Sequence, residues 1–193
     1  MNPQLQSLLR TGQYPHVLYS YSSESHYIEM AVSYILDGIA SNEHVFLIDN
    51  ERLYPLIAQQ VRSQVSREQF ELLCFVKNFD FYYSSGSYHP PAILAYFNDL
   101  LKRKSMHDKP FRSWAHVEWG SMKEPVEVVR ELEQHIDWAV NSLSFPLICA
   151  YRLDRMPAHL MTILEETHPY ILTDETFLSS AAYQSQVPAD LKL

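Results

Sequence analysis

The stretch HVLYSYSSESHYIEMAVSYI, His16 to Ile35, runs from an apolar strand pattern straight into a helical one. In α/β proteins the turn between two such elements is a common place for a nucleotide phosphate. A phosphate-cradling loop there needs glycines, so that backbone N–H groups can close around the anion, and a Lys followed by Ser or Thr. Between Ser20 and His26 there is neither Gly nor Lys. The loop stands in a phosphate-binding position without phosphate-binding chemistry.

Working outward, apolar runs of strand length alternate with helical periodicity. His16 to Tyr21, His44 to Asp49, Leu72 to Val76, Trp114 to Trp119 and Phe145 to Tyr151 read as strands. Ile28, Val32, Ile35, Leu36 and Ile39 make one face of the first intervening helix, with Ser22, Ser23, Glu24 and Ser25 at its start, Gly38 near its end and Asn42 beyond. Leu53, Leu56, Ile57, Val61 and Val65 mark a second helix. Ile93, Leu94, Phe97, Leu100 and Leu101 mark a third, opened by Pro90 and Pro91. Pro125 is placed to open the fourth, striped by Val126, Val129, Leu132, Ile136, Ala139, Val140 and Leu143. A shorter helix around Leu160, Ile163 and Leu164 stops at or before His168, because Pro169 follows. Tyr170 to Thr173 reads as a sixth strand. This order predicts an α/β fold of three layers, a mainly parallel sheet with helices on both faces.

The 193 residues suit one domain, expected over 1–178, with a poorly ordered tail from Ser179 to Leu193 that includes Pro188. An apolar share of 47% with 20% charged residues excludes disorder as the default. A formal charge of −8 opposes attraction to nucleic acid or anionic lipid, so neither is an expected direct partner. Lys102, Arg103, Lys104, Lys109 and Arg112 form the one basic concentration, read as cations complementing a helix end. No apolar run reaches the ~20 residues that span a bilayer, and the N-terminus lacks a signal-peptide core, which predicts a cytoplasmic protein. Cys74 and Cys149 lie in apolar runs and read as small buried hydrophobes.

Ligands of such sheets bind beyond the carboxyl ends of the strands. Those ends carry Tyr19, Tyr21 and Ser22; Asp49, Asn50 and Glu51; Lys77, Asn78 and Asp80; Glu118, Trp119, Gly120 and Ser121; Tyr151, Arg152 and Asp154. They include no glycine-framed nucleophile and no helically spaced pair of histidines. His116 and Glu118 share a strand face; a carboxylate there holds Mg²⁺ in nucleotide hydrolases, but without a phosphate loop it reads as a polar strand end bonded to neighbouring loops. His26, His44, His89, His107, His116, His135, His159 and His168 are scattered, so a metal site would arise only by tertiary coincidence, and none is expected. His135, four residues after Glu131, reads as a solvated surface contact. His168 has two readings: a structural junction residue, or a ring folded over a pocket mouth. The stretch NFDFYYSSGSYHPP, Asn78 to Pro91, reads as an aromatic loop that covers an apolar ligand or forms a protein-binding surface.

The succession HVLYSY, YILDGIASNEHVFLI, WAHVEWGS, VVRELEQHID, FPLICAYRLDRMP and HPYIL resembles the MEDS domain, a sensory domain named from methanogen and methylotroph proteins and the DcmR regulator. It covers roughly Tyr14 to Phe177, and the order and spacing of the short motifs carry it. His16, Tyr19, Gly38, Glu43, Trp119, Glu133, Cys149, Tyr151, His168 and Pro169 occupy the family's characteristic places. The resemblance implies a fold like the RecA and KaiC ATPases without their phosphate loop, and a module that senses small organic compounds such as hydrocarbon derivatives. Family members are often fused to DNA-binding or kinase modules. With no room for one here, output is expected through a partner regulatory protein or kinase, or through a homo-oligomer.

Three functions follow. A non-catalytic small-molecule sensor, with no cofactor, would bind its ligand through Tyr19, Tyr21, Ser22, Glu118, Trp119, Tyr151 and His168. A protein-interaction regulator would keep the fold without a ligand and expose the aromatic loop from Phe79 to Tyr88. An atypical nucleotide hydrolase would have to hold phosphate on Ser22, Ser23 and Ser25 without a nearby Lys.

Overall fold

A computed structural model describes residues 1–104, 109–119, 126–157 and 159–185. Among these, seven strands form one sheet: β1 (His16–Tyr21), β2 (His44–Asp49), β3 (Leu73–Lys77), β4 (Phe111–His116), β5 (Leu147–Arg152), β6 (Tyr170–Leu172) and β7 (Phe177–Ser179). Their spatial order is β3-β2-β4-β5-β1-β6-β7, parallel throughout except for the terminal β6–β7 pair. The helices are α1 (Pro3–Arg10), α2 (Glu24–Ala40), α3 (Tyr54–Arg62), α4 (Arg67–Phe70), α5 (Asn78–Tyr82), α6 (Pro90–Arg103), α7 (Val126–Leu143) and α8 (Leu160–Thr167). The expected three-layer α/β architecture is present: one apolar core packs α1, α2 and α3 on one sheet face, the other packs α5, α6, α7 and α8 on the opposite face. No described helix is long and apolar enough to cross a membrane.

Local chemistry explains the elements around β1. Ser23, in extended backbone, caps α2 by accepting from the His26 amide at 3.4 Å. α2 ends at Ala40; Asn42 turns the chain at φ 58°, and the Glu43 amide returns to the Gly38 carbonyl at 2.9 Å, which aims the chain into β2. α8 stops at Thr167 with His168 as its C-cap, as the following Pro169 requires.

Several readings are corrected. β4 begins at Phe111 and ends at His116, three residues earlier than Trp114 to Trp119, because His44 to Ile48 of β2 pair with Phe111 to Ala115. Arg112 therefore lies inside a buried strand, 1% exposed, ion-paired with Glu43 Oε2 at 2.5 Å and Asp37 Oδ2 at 3.0 Å, and does not end a helix. Asn78 to Tyr82, expected as loop, form α5, which buries Phe81 and Tyr82. His135 is buried, with Nδ1 2.8 Å from the Glu131 carbonyl, rather than solvated. Ser179 closes β7, and within 180–185 Ser180 Oγ donates to the Glu165 carbonyl at 2.6 Å and the Gln184 amide to the Glu166 carbonyl at 2.9 Å, while 186–193 lie outside the described residues. His107, Gly120, Ser121, Pro125 and Pro188 lie outside the described residues.

Candidate functional site

The carboxyl ends of β1, β2, β4 and β5 surround a cleft of about 550 Å³. The strands deliver Tyr21 and His116; the turns after them deliver Asn50, Glu118 and Trp119; α5 delivers Asn78, Phe79 and Tyr82. The strand and turn residues of the wall stand within three positions of a strand end, so the rigid sheet fixes where the polar groups converge.

The polar lining is interlocked. Glu118 Oε2 accepts from the Asn78 side chain and from Asn50 Nδ2 at 3.4 Å, while Arg155 stands 3.8 Å from Oε1. Asn50 Oδ1 in turn accepts from the Leu53 amide at 2.9 Å, which holds its side chain in place. Behind this lies a buried chain: Trp114 Nε1 donates to Tyr27 Oη at 2.9 Å, Tyr27 donates to Asp49 Oδ2 at 2.7 Å, and Asp49 Oδ1 faces His116 Nδ1 at 2.9 Å. His116 Nε2 meets Tyr21 Oη at 2.9 Å. With Nδ1 against a carboxylate, the imidazole carries its proton there, and Nε2 accepts from Tyr21. Burial, reinforced by the Asp49 charge, pushes the Tyr21 hydroxyl above its ordinary range, so it remains a donor.

The rest of the lining is Val117, the guanidinium groups of Arg52 and Arg152, which are ion-paired with Glu24 and Asp154, and a set of aromatic rings. Trp119, Tyr82 and Tyr83 give apolar area, and Phe79, 71% exposed, stacks on Tyr83 at the rim with ring centroids 5.3 Å apart. The Tyr82 hydroxyl is buried and has no hydrogen-bond partner among the described residues.

Of the residues expected at a ligand site, the structure brings Tyr21, Glu118 and Trp119 together in this cleft. Tyr19 lies two positions deeper in β1, its ring packed on Trp114 and its hydroxyl donating to Asp174 Oδ1 at 3.0 Å. Ser22 donates to the other oxygen of the same carboxylate at 3.1 Å. Tyr151 faces the opposite side of the sheet and donates to Glu133 of α7. His168 is at the far, amino-terminal edge of the strands, its ring centroid 4.0 Å from that of His16. Asn50 and Asn78 are strand-end residues whose sequence context carries no signal that sets them apart. His116 shares a strand face with Glu118 and Tyr82 belongs to an aromatic segment, and only the chain's folding brings them into one wall.

The family model of the MEthanogen/methylotroph, DcmR Sensory domain, MEDS, matches residues 15–169. The chain belongs to the MEDS family. It is thus a member of a family of sensory domains. Among solved structures similar to this MEDS domain is an ATPase domain, with 9% identity, a TM-score of 0.57, and coverage of 83% of this chain and 69% of that one. At that identity the likeness is one of fold, and it is RecA-like. No curated protein matches the sequence.

In this MEDS domain the place of an ATPase phosphate loop is occupied by other chemistry. Glu24 opens α2 and forms a two-pronged ion pair with Arg52, at 2.7 and 2.6 Å. That hydrogen-bonded pairing holds the Glu24 carboxyl below its ordinary range, so the helix N-terminus already has its anion.

Proposed function

We propose that the chain is a non-catalytic sensing module that binds a small organic molecule carrying a polar group in the strand-end cleft, and relays its presence to a partner protein. The cleft carries this reading: about 550 Å³, with aromatic walls on one part and the converging amides and carboxylate of Asn50, Asn78 and Glu118 on another. This is the composition of a pocket in which apolar area supplies affinity and a few fixed polar groups supply orientation. Glu24 at the start of α2 argues against a nucleotide hydrolase, since a carboxylate there repels phosphate. An interaction surface built from the whole Phe79 to Tyr88 loop is disfavoured, because Phe81, Tyr82 and Tyr88 are buried and Phe79 is the exposed large aromatic of that segment.

Native mass spectrometry of protein gently purified from its own cells tests the reading. A reproducible small-mass adduct that is lost on unfolding, absent from Trp119→Ala and bound about tenfold more weakly by Glu118→Gln, supports it. A chain that never carries such an adduct, or ATP hydrolysis abolished by Glu118→Gln, overturns it.

A further inference from the structure

On the face of the sheet that packs α7 and α8, and outside the lining of the cleft, four chemically dissimilar side chains converge in the core: His16 from β1, Cys149 from β5, Glu133 from α7 and His168 at the end of α8. All four are at most 1% exposed. One ligand atom from each lies within 4.8 Å of every other.

The second nitrogen of each imidazole is already committed. His168 Nδ1 stands 2.8 Å from the Leu164 carbonyl, which can only accept, so Nδ1 carries a proton. His16 Nδ1 faces the Asp137 carboxylate at 3.2 Å, and Asp137 is itself held by a hydrogen bond from Tyr183 at 2.8 Å. Both rings therefore turn Nε2 inward. There His16 Nε2 is 3.3 Å and His168 Nε2 3.4 Å from Glu133 Oε2, and neither His168 Nε2 nor Glu133 Oε2 has a hydrogen-bond partner among the described residues. Acceptors buried face to face repel one another unless a proton or a metal cation stands between them.

The spacing suits a metal ion. Four ligands arranged tetrahedrally at about 2.0 to 2.3 Å from zinc stand roughly 3.3 to 3.6 Å from each other. Here the nitrogen-to-oxygen separations are 3.3 and 3.4 Å, and Cys149 Sγ is 3.5 Å from His16 Nε2. A carboxylate or carbonyl behind each ligating histidine is the usual support of such a site. An imidazole, thiolate and carboxylate set favours zinc over the hard cations, and four protein ligands leave no open position, which is the form of a structural site. A second cavity of about 230 Å³, lined by Tyr14, Pro15, His16, Asp137 and Tyr183, reaches His16 and offers a route in.

We propose that His16, Glu133, Cys149 and His168 form a closed, four-ligand site for one divalent transition-metal ion of the zinc type, which ties α7 and α8 to the sheet. Metal entry displaces the Cys149 thiol proton, because the thiolate is the ligand. The site is independent of the strand-end cleft, and neither reading needs the other.

The test uses the full chain, stripped with a chelator and reloaded with Co²⁺ or Zn²⁺. The expected result is one equivalent of metal per chain, a thiolate-to-cobalt charge-transfer band with a tetrahedral visible spectrum, and a melting temperature that falls on stripping and returns with Zn²⁺. The band should persist in Cys74→Ser and vanish in Cys149→Ser, and His168→Gln should weaken binding by more than about tenfold. The wild-type spectrum decides even where a variant fails to fold. A chain that takes up no stoichiometric metal, or whose cobalt spectrum lacks the thiolate band, overturns the proposal.

Discussion

Gly38 of α2 lies directly on Arg112 of β4: a Cβ at position 38 would fall 2.9 Å from Arg112 Cδ and 2.7 Å from Val45 Cγ2. The absent side chain lets the guanidinium run beneath the helix to Glu43 and Asp37, with Arg112 stacked 5.0 Å from the Tyr34 ring. A glycine inside a helix costs about 1 kcal/mol relative to alanine, and here close approach to a buried ion pair accounts for it.

Gly38→Ala is accordingly expected to destabilise the protein by about 1 to 3 kcal/mol despite the better helix propensity of alanine, because α2 must lift off Val45 and Arg112. Urea unfolding measures this. An unchanged or raised midpoint would show that α2 does not rest on the strand as closely as described.

Asp49→Asn removes the charge that fixes His116 and receives the Tyr27 hydroxyl, and the amide must present an N–H to one of two donors. A loss of about 2 kcal/mol in stability is expected on that ground, together with a flipped His116 tautomer visible by ¹⁵N NMR of the imidazole. Retention of the same tautomer at full stability would remove Asp49 from the support of the cleft.

His44, at the start of β2, has its pKa lowered by partial burial and by the charges of Lys109 and Lys104. The unfolded chain therefore binds a proton at this residue at higher pH than the folded one. Stability is expected to fall as pH drops through the unfolded value, about 6.5, and the loss is complete below the folded pKa. His44→Gln should flatten that part of the stability profile relative to wild type. Parallel profiles for the two proteins would contradict it.

The fold was largely legible because strand and helix periodicities are local. His16 to Tyr21 and His44 to Asp49 emerge with the same boundaries in sequence and structure, since each is a continuous apolar run buried on both faces. Trp114 to Trp119 slipped by three because its register is set by pairing with β2, which no local pattern records. Asn78 to Tyr82 turned helical because packing of Phe81 and Tyr82 into the core outweighs the turn-like look of the neighbouring serines and glycine.

For the candidate site the division is sharper. The missing glycine and lysine after β1, and hence the lack of a phosphate loop, are facts of a few adjacent residues, and the sequence alone determined them, along with the layered α/β order. Only the tertiary structure decided which residues meet: it set Tyr21, Glu118 and Trp119 in one cleft and sent Tyr151 and His168 elsewhere. It likewise gathered His16, Glu133, Cys149 and His168 from across the chain into one buried cluster, although their spacing in sequence carries no ligand signature. Periodicity reports which face of an element is buried, whereas proximity between faces depends on strand order and register, which are properties of the assembled sheet.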